Sequence, residues 1–303
     1  MRPLASNLKF PEGPVALSDG SLILVEIHGG AVTRVAPDGA VTSIARPGGG
    51  PNGAAFGPDG ALYVCNHGGY LWTEGPRDAP PARPVTYTGG RIERIDIETG
   101  DMTLLYVECG GRQLSAPNDL VFDRHGGFYF TDLGKSTPDH IVHGAVYYAL
   151  PDGSSIREVA FPMQRPNGIG LSPDEATLYV AEMPTARLWS FSIEEPGVLR
   201  PDNSHAAPHG GRFLCGLDGL QKFDSLALEA SGNICVATLA SGAITVVSPS
   251  GEVVRQVETG DAMTTNICFG DAGMRTAYIT LAGRGELVEM DWPSPGLKLN
   301  FSR

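Results

Sequence analysis

Short apolar runs separated by turn residues recur along the whole chain. Each recurring unit has a polar residue, an apolar run, a turn such as PDG or ASG, and a second apolar run. Gly and Asp adopt the backbone angles of a tight turn, while Val, Ile, Leu, Tyr and Phe favour strands, so each unit predicts a β-hairpin. No apolar stripe with helical spacing and caps occurs, so the pattern predicts an all-β chain.

The hairpin unit occurs six times. The copies are PEGPVALSDGSLILVE from Pro11, PNGAAFGPDGALYVCN from Pro51, PNDLVFDRHGGFYFTD from Pro117, PNGIGLSPDEATLYVAE from Pro166, FDSLALEASGNICVAT from Phe223 and TTNICFGDAGMRTAYIT from Thr264. Their key polar residues are Glu12, Asn52, Asn118, Asn167, Asp224 and Asn266, separated by 40, 66, 49, 57 and 42 residues. The shorter steps match a four-stranded propeller blade of about 40 to 50 residues, and the repeat predicts a six-bladed β-propeller.

The two ends of the chain complete this prediction. The last copy is followed by one good strand, GELVEMDW, and the first is preceded by MRPLASNLKF. We expect the N-terminal segment to add a strand to the last blade and close the ring, which hides sheet edges that would otherwise invite aggregation. Residues 1–303 are then a single propeller domain. Two β-sandwiches, the alternative, would not explain one polar position repeated at the head of every unit.

The long steps between copies mark insertions. They cover residues 66–90, 133–144 and 201–222. Loops of this length in a compact fold commonly serve as lids or specificity elements, and we expect that role here.

Composition excludes several classes of protein. The chain has 40 Gly, 24 Pro, 42% hydrophobic residues and a net charge of −12, with no basic run, so a nucleic-acid partner is not expected. No signal-peptide stretch or membrane span is visible, and we expect no membrane partner and a cytoplasmic location. The five cysteines are widely spaced without a CxxC pair, which favours buried thiols. The sequence leaves the oligomeric state open.

The repeated polar position carries the candidate chemistry. The inner strand of each propeller blade borders the central channel, so the six key residues are expected to meet in one ring. The ring has two carboxylates, Glu12 and Asp224, and four carboxamides, all oxygen ligands. Calcium takes about six to eight such oxygens. The ring predicts a site for one divalent cation, with calcium favoured and magnesium, manganese, ferrous iron and zinc as alternatives.

Simpler interpretations exist for the same residues. Asn and Asp after or near Pro are common turn residues. Asn52 and Asn266 are alternatively structural members of the ring. The polar residues that end the second strands are alternatively solvated strand termini; they are Glu26, Asn66, Asp132, Glu182 and Thr238.

Taken together, these motifs resemble a known family. PEGPV, PNDLVFDRHGGFYFTD, HGAVYYALPDG with RPNGIGLSPDEATLYVAE, and FDSLALEASGNICVAT look like the family of regucalcin (SMP-30), gluconolactonase and the drug-responsive lactonase of staphylococci, with the squid-type fluorophosphatase more distant. YFTDLGKS and Phe223-Asp224-Ser225 lean toward the drug-responsive branch. The resemblance covers essentially the whole chain and implies a hydrolase that opens a small lactone to a hydroxy acid.

The resemblance also assigns residues. Glu12, Asn167 and Asp224 match the core metal ligands, and Asn118 matches a channel Asn that either completes the metal shell or binds substrate. Asn52, in the same ring, is predicted to contact substrate together with Asn118. Sugar lactonases of this type carry an Arg two residues before the third-blade Asn, where this chain has Ala116. A polyhydroxylated aldonolactone is therefore not favoured unless Arg112 or a lid residue substitutes.

Asp224 is the predicted catalytic residue. The metal would polarise the lactone carbonyl while Asp224 orients or deprotonates the attacking water; alternatively, Asp224 attacks directly as a nucleophile. His67, His140 and His143 lie on loops and serve either as proton shuttles and substrate contacts or as exposed histidines without a role. Tyr70 and Trp72 wall a pocket or, the favoured interpretation, pack the insertion's own small core.

Three rival functions share this fold. The first is hydrolysis of phosphotriesters or fluorophosphates at the same site. The second is a non-catalytic propeller that binds a ligand, since a fold alone does not fix function. The third is a lyase or a strictosidine-synthase-like activity that does not need the full oxygen set.

Overall fold

The chain consists of β-strands wherever the structure describes it. The computed structural model describes residues 1–70, 87, 89–136, 140–202 and 207–303. Within these ranges the chain forms strands β1 to β29 and no helix. The all-β prediction is confirmed.

Six antiparallel sheets succeed one another along the chain, and we number them blades 1 to 6. Blade 1 comprises β2 (Pro11–Ala16), β3 (Leu22–Glu26), β4 (Ala31–Val35) and β5 (Val41–Ala45). Blade 2 comprises β6 (Pro51–Phe56), β7 (Leu62–Asn66), β8 (Arg91–Ile95) and β9 (Met102–Tyr106). Blade 3 comprises β12 (Pro117–Phe122), β13 (Phe128–Asp132), β16 (Gly144–Ala149) and β17 (Ile156–Met163).

The second half of the chain forms three more blades. Blade 4 comprises β18 (Pro166–Leu171), β19 (Thr177–Glu182) and β20 (Arg187–Glu195), with β21 (Val198–Arg200) and β22 (Arg212–Gly216) both paired to β20. Blade 5 comprises β23 (Lys222–Leu228), β24 (Ile234–Leu239), β25 (Ala243–Val247) and β26 (Val253–Glu258). Blade 6 comprises β27 (Thr264–Gly270), β28 (Thr276–Leu281), β29 (Glu286–Asp291) and β1 (Arg2–Ala5).

The blades close into a ring through their first strands. The first strand of each blade contacts the first strand of the next, and β2 of blade 1 contacts β27 of blade 6. The ring is also closed at its outer edge, because β1 pairs antiparallel with β29 and Arg2 forms an ion pair with Glu289. The six-bladed propeller closed by an N-terminal strand is therefore confirmed.

Each inner strand is irregular at its head. In every blade the inner strand has one residue more than its partner at the head, as between Pro117 and Leu120, which pair with Asp132 and Phe130. A bulge of this kind bends a strand and redirects a side chain. The bulge therefore explains how the same polar position in each blade leaves the sheet and faces the channel.

Apolar side chains fill the spaces between blades. Tyr63 of blade 2 packs against Phe122 and Phe128 of blade 3, with ring centroids 5.0 and 5.8 Å apart. All three side chains are buried, and burying an aromatic side chain stabilises a fold by about 1.5 to 3 kcal/mol. The wedges between blades thus fix the inner strands relative to one another.

The predicted insertions differ in what the structure describes. Most of residues 66–90, and residues 137–139 and 203–206, lie outside the described residues, so the lid role of these parts stays a prediction. Around 137–139, β14 (Lys135–Ser136) and β15 (Ile141–Val142) form a small hairpin. Within residues 201–222, β22 joins blade 4 instead of forming a loop throughout. A second small hairpin consists of β10 (Glu108–Cys109) and β11 (Arg112–Gln113).

The cysteines of the chain form no disulfide. All five cysteines are free, and Cys65, Cys215 and Cys235 are buried. Among the described residues, none belongs to a helix with the length and apolarity needed to cross a bilayer.

Candidate active site at the channel mouth

The six key polar residues lie on successive blades at one mouth of the channel. Neighbouring inner strands approach so closely that a Cβ at Gly53 would lie 2.6 Å from the Asn118 carbonyl oxygen, and a Cβ at Gly168 would lie 2.7 Å from that of Asp224. Only glycine fits such an approach. The key residues are all buried, from 2% exposed for Glu12 to 7% for Asp224. The structure thus brings together the residues that the repeat identified.

Carboxamides and carboxylates of this ring are hydrogen-bonded in pairs. Asn167 Nδ2 donates to Asp224 Oδ1 at 2.5 Å, and Asn266 Nδ2 donates to Glu12 Oε2 at 2.7 Å. Ser225 Oγ donates to Asn167 Oδ1 at 3.4 Å. Each pair joins two adjacent blades, so the carboxylates are held at fixed positions.

Three buried carboxyl groups with raised pKa values lie at this mouth. Burial, followed by the charge of Asp224, raises the pKa of Glu12 well above its usual range. Burial also raises the pKa of Asp224 to about 7, against the hydrogen bond from Asn167, and raises the pKa of Asp119 to about 7. Without a cation, burial opposes the ionisation of all three groups together near neutral pH.

Asp119 was missed by the sequence reasoning. It follows Asn118 directly, and its Oδ1 accepts a hydrogen bond from the Leu120 amide at 2.9 Å. The third copy reads PND where the second and fourth read PNG, which was the available signal. Glycine at this position admits the neighbouring blade, whereas Asp119 adds a third carboxyl group beneath the ring.

The donor set fits a hard divalent cation. Asn118 Oδ1 is buried without a hydrogen-bond partner, and the pKa of the buried Glu12 carboxyl group is raised by burial and by the charges of Asp224 and Asp119. In the described part of the chain, no group of three or more His, Cys, Asp or Glu side chains is arranged to hold a metal. A cation here would therefore depend on carboxamide oxygens of Asn118 and Asn167 together with two carboxylates, a mixture that suits calcium.

A cluster around Tyr70 lies above the ring. The His67 ring lies 4.0 Å from the Tyr70 ring, and Lys135 Nζ lies 4.5 Å from the Tyr70 centroid. Arg165 hydrogen-bonds the Tyr70 phenol, and the charge of Asp224 acts on the same phenol. Tyr70 therefore contacts residues next to the ring; whether it also packs within the insertion stays a prediction, because most of the insertion lies outside the described residues. Trp72 lies outside the described residues.

The interpretation of His67 as an exposed loop histidine is wrong. His67 is fully buried, its Nδ1 accepts a hydrogen bond from the Gly69 amide at 3.1 Å, and its Nε2 has no partner. Burial and the charge of Lys135 lower the pKa of His67 well below its usual value. His140 and His143 are exposed, and His143 lies against Phe161.

The polar ends of the second strands are structural caps in three blades, and their interpretation as solvated termini is wrong there. Asn66, Asp132 and Glu182 are buried, and each accepts hydrogen bonds from the loop that leads into the inner strand of its own blade. Asp132 accepts from the amides of Ser115, Ala116 and Gly134 at 2.7 to 2.8 Å. These caps hold the approach to each key residue. Glu26 accepts from the Lys9 amide in the same way while part-buried, and Thr238 instead bonds Thr245 within its own blade.

Arg112 does not substitute for the arginine that Ala116 lacks. Arg112 pairs with Glu158 and lies over Phe161, both on the outer strand of blade 3, whereas Ala116 is buried beside the inner strand. These contacts hold the Arg112 guanidinium at the outer edge of blade 3. Among the two substitutes considered from the sequence, only a lid residue remains.

A cavity of about 540 Å³ lies on the channel axis below the ring. Asp119 and Asn266 border it at the ring end, and Leu297, Asn300 and Arg303 of the C-terminal segment border it elsewhere. The cavity is lined largely by apolar inner-strand side chains such as Val15 and Leu120. Of the six ring residues, only Asn266 lines this cavity, so the other five face a different part of the channel.

Comparison with known proteins identifies related chains. The family model described as "SMP-30/Gluconolactonase/LRE-like region" matches residues 10–283. A gluconolactonase of Zymomonas mobilis is 27% identical over 91% of this chain and 77% of its own length, and a lactonase drp35 of Staphylococcus saprophyticus is 32% identical over 78% and 66%. A solved gluconolactonase of Xanthomonas campestris superposes with a TM-score of 0.74 at 26% identity, covering 96% of this chain and 89% of that one.

Proposed function

The chain belongs to the SMP-30/gluconolactonase/LRE-like family, and from this premise we propose that it is a lactonase that uses one divalent cation to open the ester ring of a small lactone. Relatives named gluconolactonase and lactonase support the reaction class. The product would be a hydroxy acid. Residues 1–303 would act as one propeller domain.

One observation carries the proposal of a metal. Asn118 Oδ1 is buried and unpartnered beside carboxyl groups whose pKa values are raised by burial and by one another. Native proteins rarely leave buried polar atoms unsatisfied, so such an atom calls for an explanation, an ion among them. Glu12, Asn118, Asn167 and Asp224 would hold the cation, and calcium suits their oxygens best.

A bound hard dication would polarise the lactone carbonyl and offset charge that develops on its oxygen. We assign to Asp224 the role of orienting the attacking water and accepting its proton. Its Oδ1 is fixed by Asn167, which leaves Oδ2 to accept a proton, and a carboxylate so held orients the water before attack. Asn118 and Asn52, in the same ring, would orient the lactone.

The substrate would not be a polyhydroxylated sugar lactone that relies on an arginine beside the ring. Ala116 stands where that arginine is expected, and Arg112 is engaged with Glu158 and Phe161. Near the mouth, Tyr70 lies against His67 and Lys135. A compact lactone with few hydroxyl groups fits these neighbours better.

The first experiment restores metal to stripped protein. Calcium, manganese, magnesium, ferrous iron and zinc are added separately, and acid release is followed on five- and six-membered lactones. We expect calcium to restore hydrolysis, and Asp224→Asn to lose at least about 100-fold in kcat, the usual size of a lost general base. Asp152→Asn is the matched control, because Asp152 caps an exposed turn with Ser154.

Two outcomes would contradict the proposal. If chelation leaves the rate of hydrolysis unchanged, the cation has no part in the reaction. If fluorophosphates are turned over faster than every lactone, the reaction of this site is phosphotriester hydrolysis.

A separate experiment distinguishes the two roles of Asp224. A single turnover in H₂¹⁸O places the label in the product acid if Asp224 activates water. Label recovered in the Asp224 carboxylate would show direct attack by this residue, because it requires a mixed anhydride between Asp224 and the substrate whose Asp224 carbonyl is attacked by water. Trapping of this anhydride with hydroxylamine detects direct attack also when water attacks the substrate carbonyl.

A further inference from the structure

The layer above the ring is positively charged, in contrast to the ring itself. Arg165 immediately precedes Pro166 and Asn167, and its guanidinium contacts the Tyr70 phenol. Lys135 Nζ lies over the same phenol ring at 4.5 Å and also over the Tyr87 ring at 4.9 Å. Two cations therefore converge on one aromatic side chain at the channel mouth.

Arg165 has no carboxylate partner in an ion pair within the described residues. Its Nε is buried without a hydrogen-bond partner, although the residue as a whole is partly exposed. Arginine presents a planar fork that suits carboxylates, and a buried N–H left unpaired costs free energy. The hydrogen bonding of the Arg165 guanidinium is therefore incomplete.

Two further buried atoms at this mouth are also unpartnered. They are His67 Nε2 and Asn118 Oδ1, so half of the six such atoms in the described part of the chain lie here. Asn118 Oδ1 is accounted for by the proposed cation. His67 and Arg165 are not, which indicates that a second polar group completes the mouth.

The backbone at Arg165 is held in an uncommon conformation. Its φ is 53°, in the left-handed region, and its carbonyl accepts a hydrogen bond from the Met183 amide at 3.2 Å. Phe10, at the corresponding place before Glu12, has a φ of 62°, so the conformation belongs to the fold. Blade 5 also has a cationic residue at this position, Lys222, but Lys222 is exposed, whereas Arg165 is partly buried.

We propose that the lactone bound here carries a carboxylate, and that Arg165 receives this carboxylate through its guanidinium while the ester lies over the ring. The inference rests on the proposed lactonase function and deepens it by naming the substrate class. Lys135 adds positive charge over the Tyr70 ring, and the Arg165 fork fixes the orientation of the carboxylate that the lactone carries. A neutral lactone would leave Arg165 Nε unpaired and would be selected against.

A charge-compensating role for Arg165 is the competing explanation. The positive charge of Arg165 lowers the pKa of Asp224, so Arg165 would then stabilise that carboxylate and take no part in substrate choice. This role predicts equal losses on all substrates when Arg165 is replaced. Substrate selection predicts unequal losses.

The test compares 5-oxotetrahydrofuran-2-carboxylate with its neutral carboxamide, using metal-restored full-length protein. We expect kcat/KM for the carboxylate to exceed that for the carboxamide by about 10- to 100-fold, the range of one charged hydrogen bond. Arg165→Gln should abolish this preference by losing activity on the carboxylate alone, and Arg165→Lys should recover part of it. Arg275→Gln is the control, because Arg275 lies in the exposed turn between β27 and β28, the first two strands of blade 6.

The results separate this inference from the proposed function. Equal kcat/KM on both substrates, or an equal loss on both in Arg165→Gln, overturns the carboxylate site while leaving the lactonase intact. If neither substrate, nor any other five- or six-membered lactone, is hydrolysed with any metal, the lactonase proposal fails. Calorimetric binding then still decides the inference: tighter binding of the carboxylate that Arg165→Gln removes supports it, and equal binding overturns it.

Discussion

The side-chain amide of Asn167 donates a hydrogen bond to Oδ1 of Asp224, 57 residues further along the chain. The bond joins blade 4 to blade 5 at the channel mouth, and both side chains are buried. In the absence of a cation, Asn167 is thus a neutral group that holds this carboxylate. Its carboxamide oxygen faces Ser225.

Replacing Asn167 with Asp should destabilise the metal-free protein. The change removes the donor to Asp224 and adds a fourth buried carboxyl group beside Glu12, Asp119 and Asp224. We expect the free energy of unfolding to fall by about 2 to 4 kcal/mol in chelator, since a buried charge without a partner is costly. Denaturant unfolding with and without calcium measures the effect.

Calcium should reverse the loss in Asn167→Asp, because the new carboxylate is also an oxygen ligand. Asn7→Asp is the control: Asn7 is exposed and outside the ring, so its change should be near zero in both conditions. A variant that is equally destabilised with and without every metal would argue against a cation between Asn167 and Asp224.

The stability of the metal-free protein should depend on pH through Asp224. Burial raises the pKa of Asp224 from 3.8 to about 7 in the folded protein, so between these values the folded state holds a proton that the unfolded state has lost. The contribution of this group to stability is therefore present at low pH and is lost as pH rises toward 7. At pH 8, the loss would reach about 4 kcal/mol at most.

The measurement compares wild type with Asp224→Asn in chelator at several pH values. His67 contributes in the opposite direction, because a buried histidine with a lowered pKa favours folding as pH rises, and the difference between the two proteins removes this effect. We expect Asp224→Asn to gain stability relative to wild type from pH 5 to pH 8. A constant difference across this range would contradict the raised pKa.

The fold was predictable because its information is local and repeated. Each hairpin has its own turn residues, such as Gly60 and Gly126 with φ of 77° and 90°, and six copies reinforce one another. Closure by the first strand followed from a missing strand in the last copy. The strand β22 was not foreseen, because its pairing with β20 is set by tertiary contact and not by a turn signal.

The candidate site was predictable only for the residues that occupy the repeated position. The repeat singled out the six ring residues, whereas Asp119, Tyr70 and Arg165 stand at positions where the polar residue type is not repeated in every blade. Contacts between distant segments place these side chains, as when Lys135 meets Tyr70. The burial of Asp132 was missed for a related reason: a polar residue at a strand end has the same sequence pattern whether water or backbone amides surround it.

Replacing Asp132 with Asn should loosen the loop that leads into Asn118. The two carboxylate oxygens accept from three backbone amides, and an amide side chain offers one oxygen, so at least one buried N–H loses its partner. We expect a loss of about 1 to 3 kcal/mol in unfolding free energy and a higher KM for lactones. Asp96→Asn, whose carboxylate accepts from the Glu98 and Thr99 amides in an exposed turn, is the control and should lose less.

Replacing Gly168 with Ala tests the close approach of blades 4 and 5. The backbone of Gly168 lies outside the left-handed region, so alanine meets no conformational penalty there; the penalty is steric, because the new Cβ would lie 2.7 Å from the Asp224 carbonyl oxygen and the Leu226 nitrogen. The two inner strands must then separate, which moves Asp224 away from Asn167. We expect destabilisation of about 1 to 3 kcal/mol together with a fall in activity and in metal affinity. Gly216→Ala is the matched control, since its Cβ would meet no atom nearer than 3.6 Å. If Gly168→Ala lowers stability while activity and metal affinity stay at the wild-type level, the positions of Asn167 and Asp224 do not govern the site.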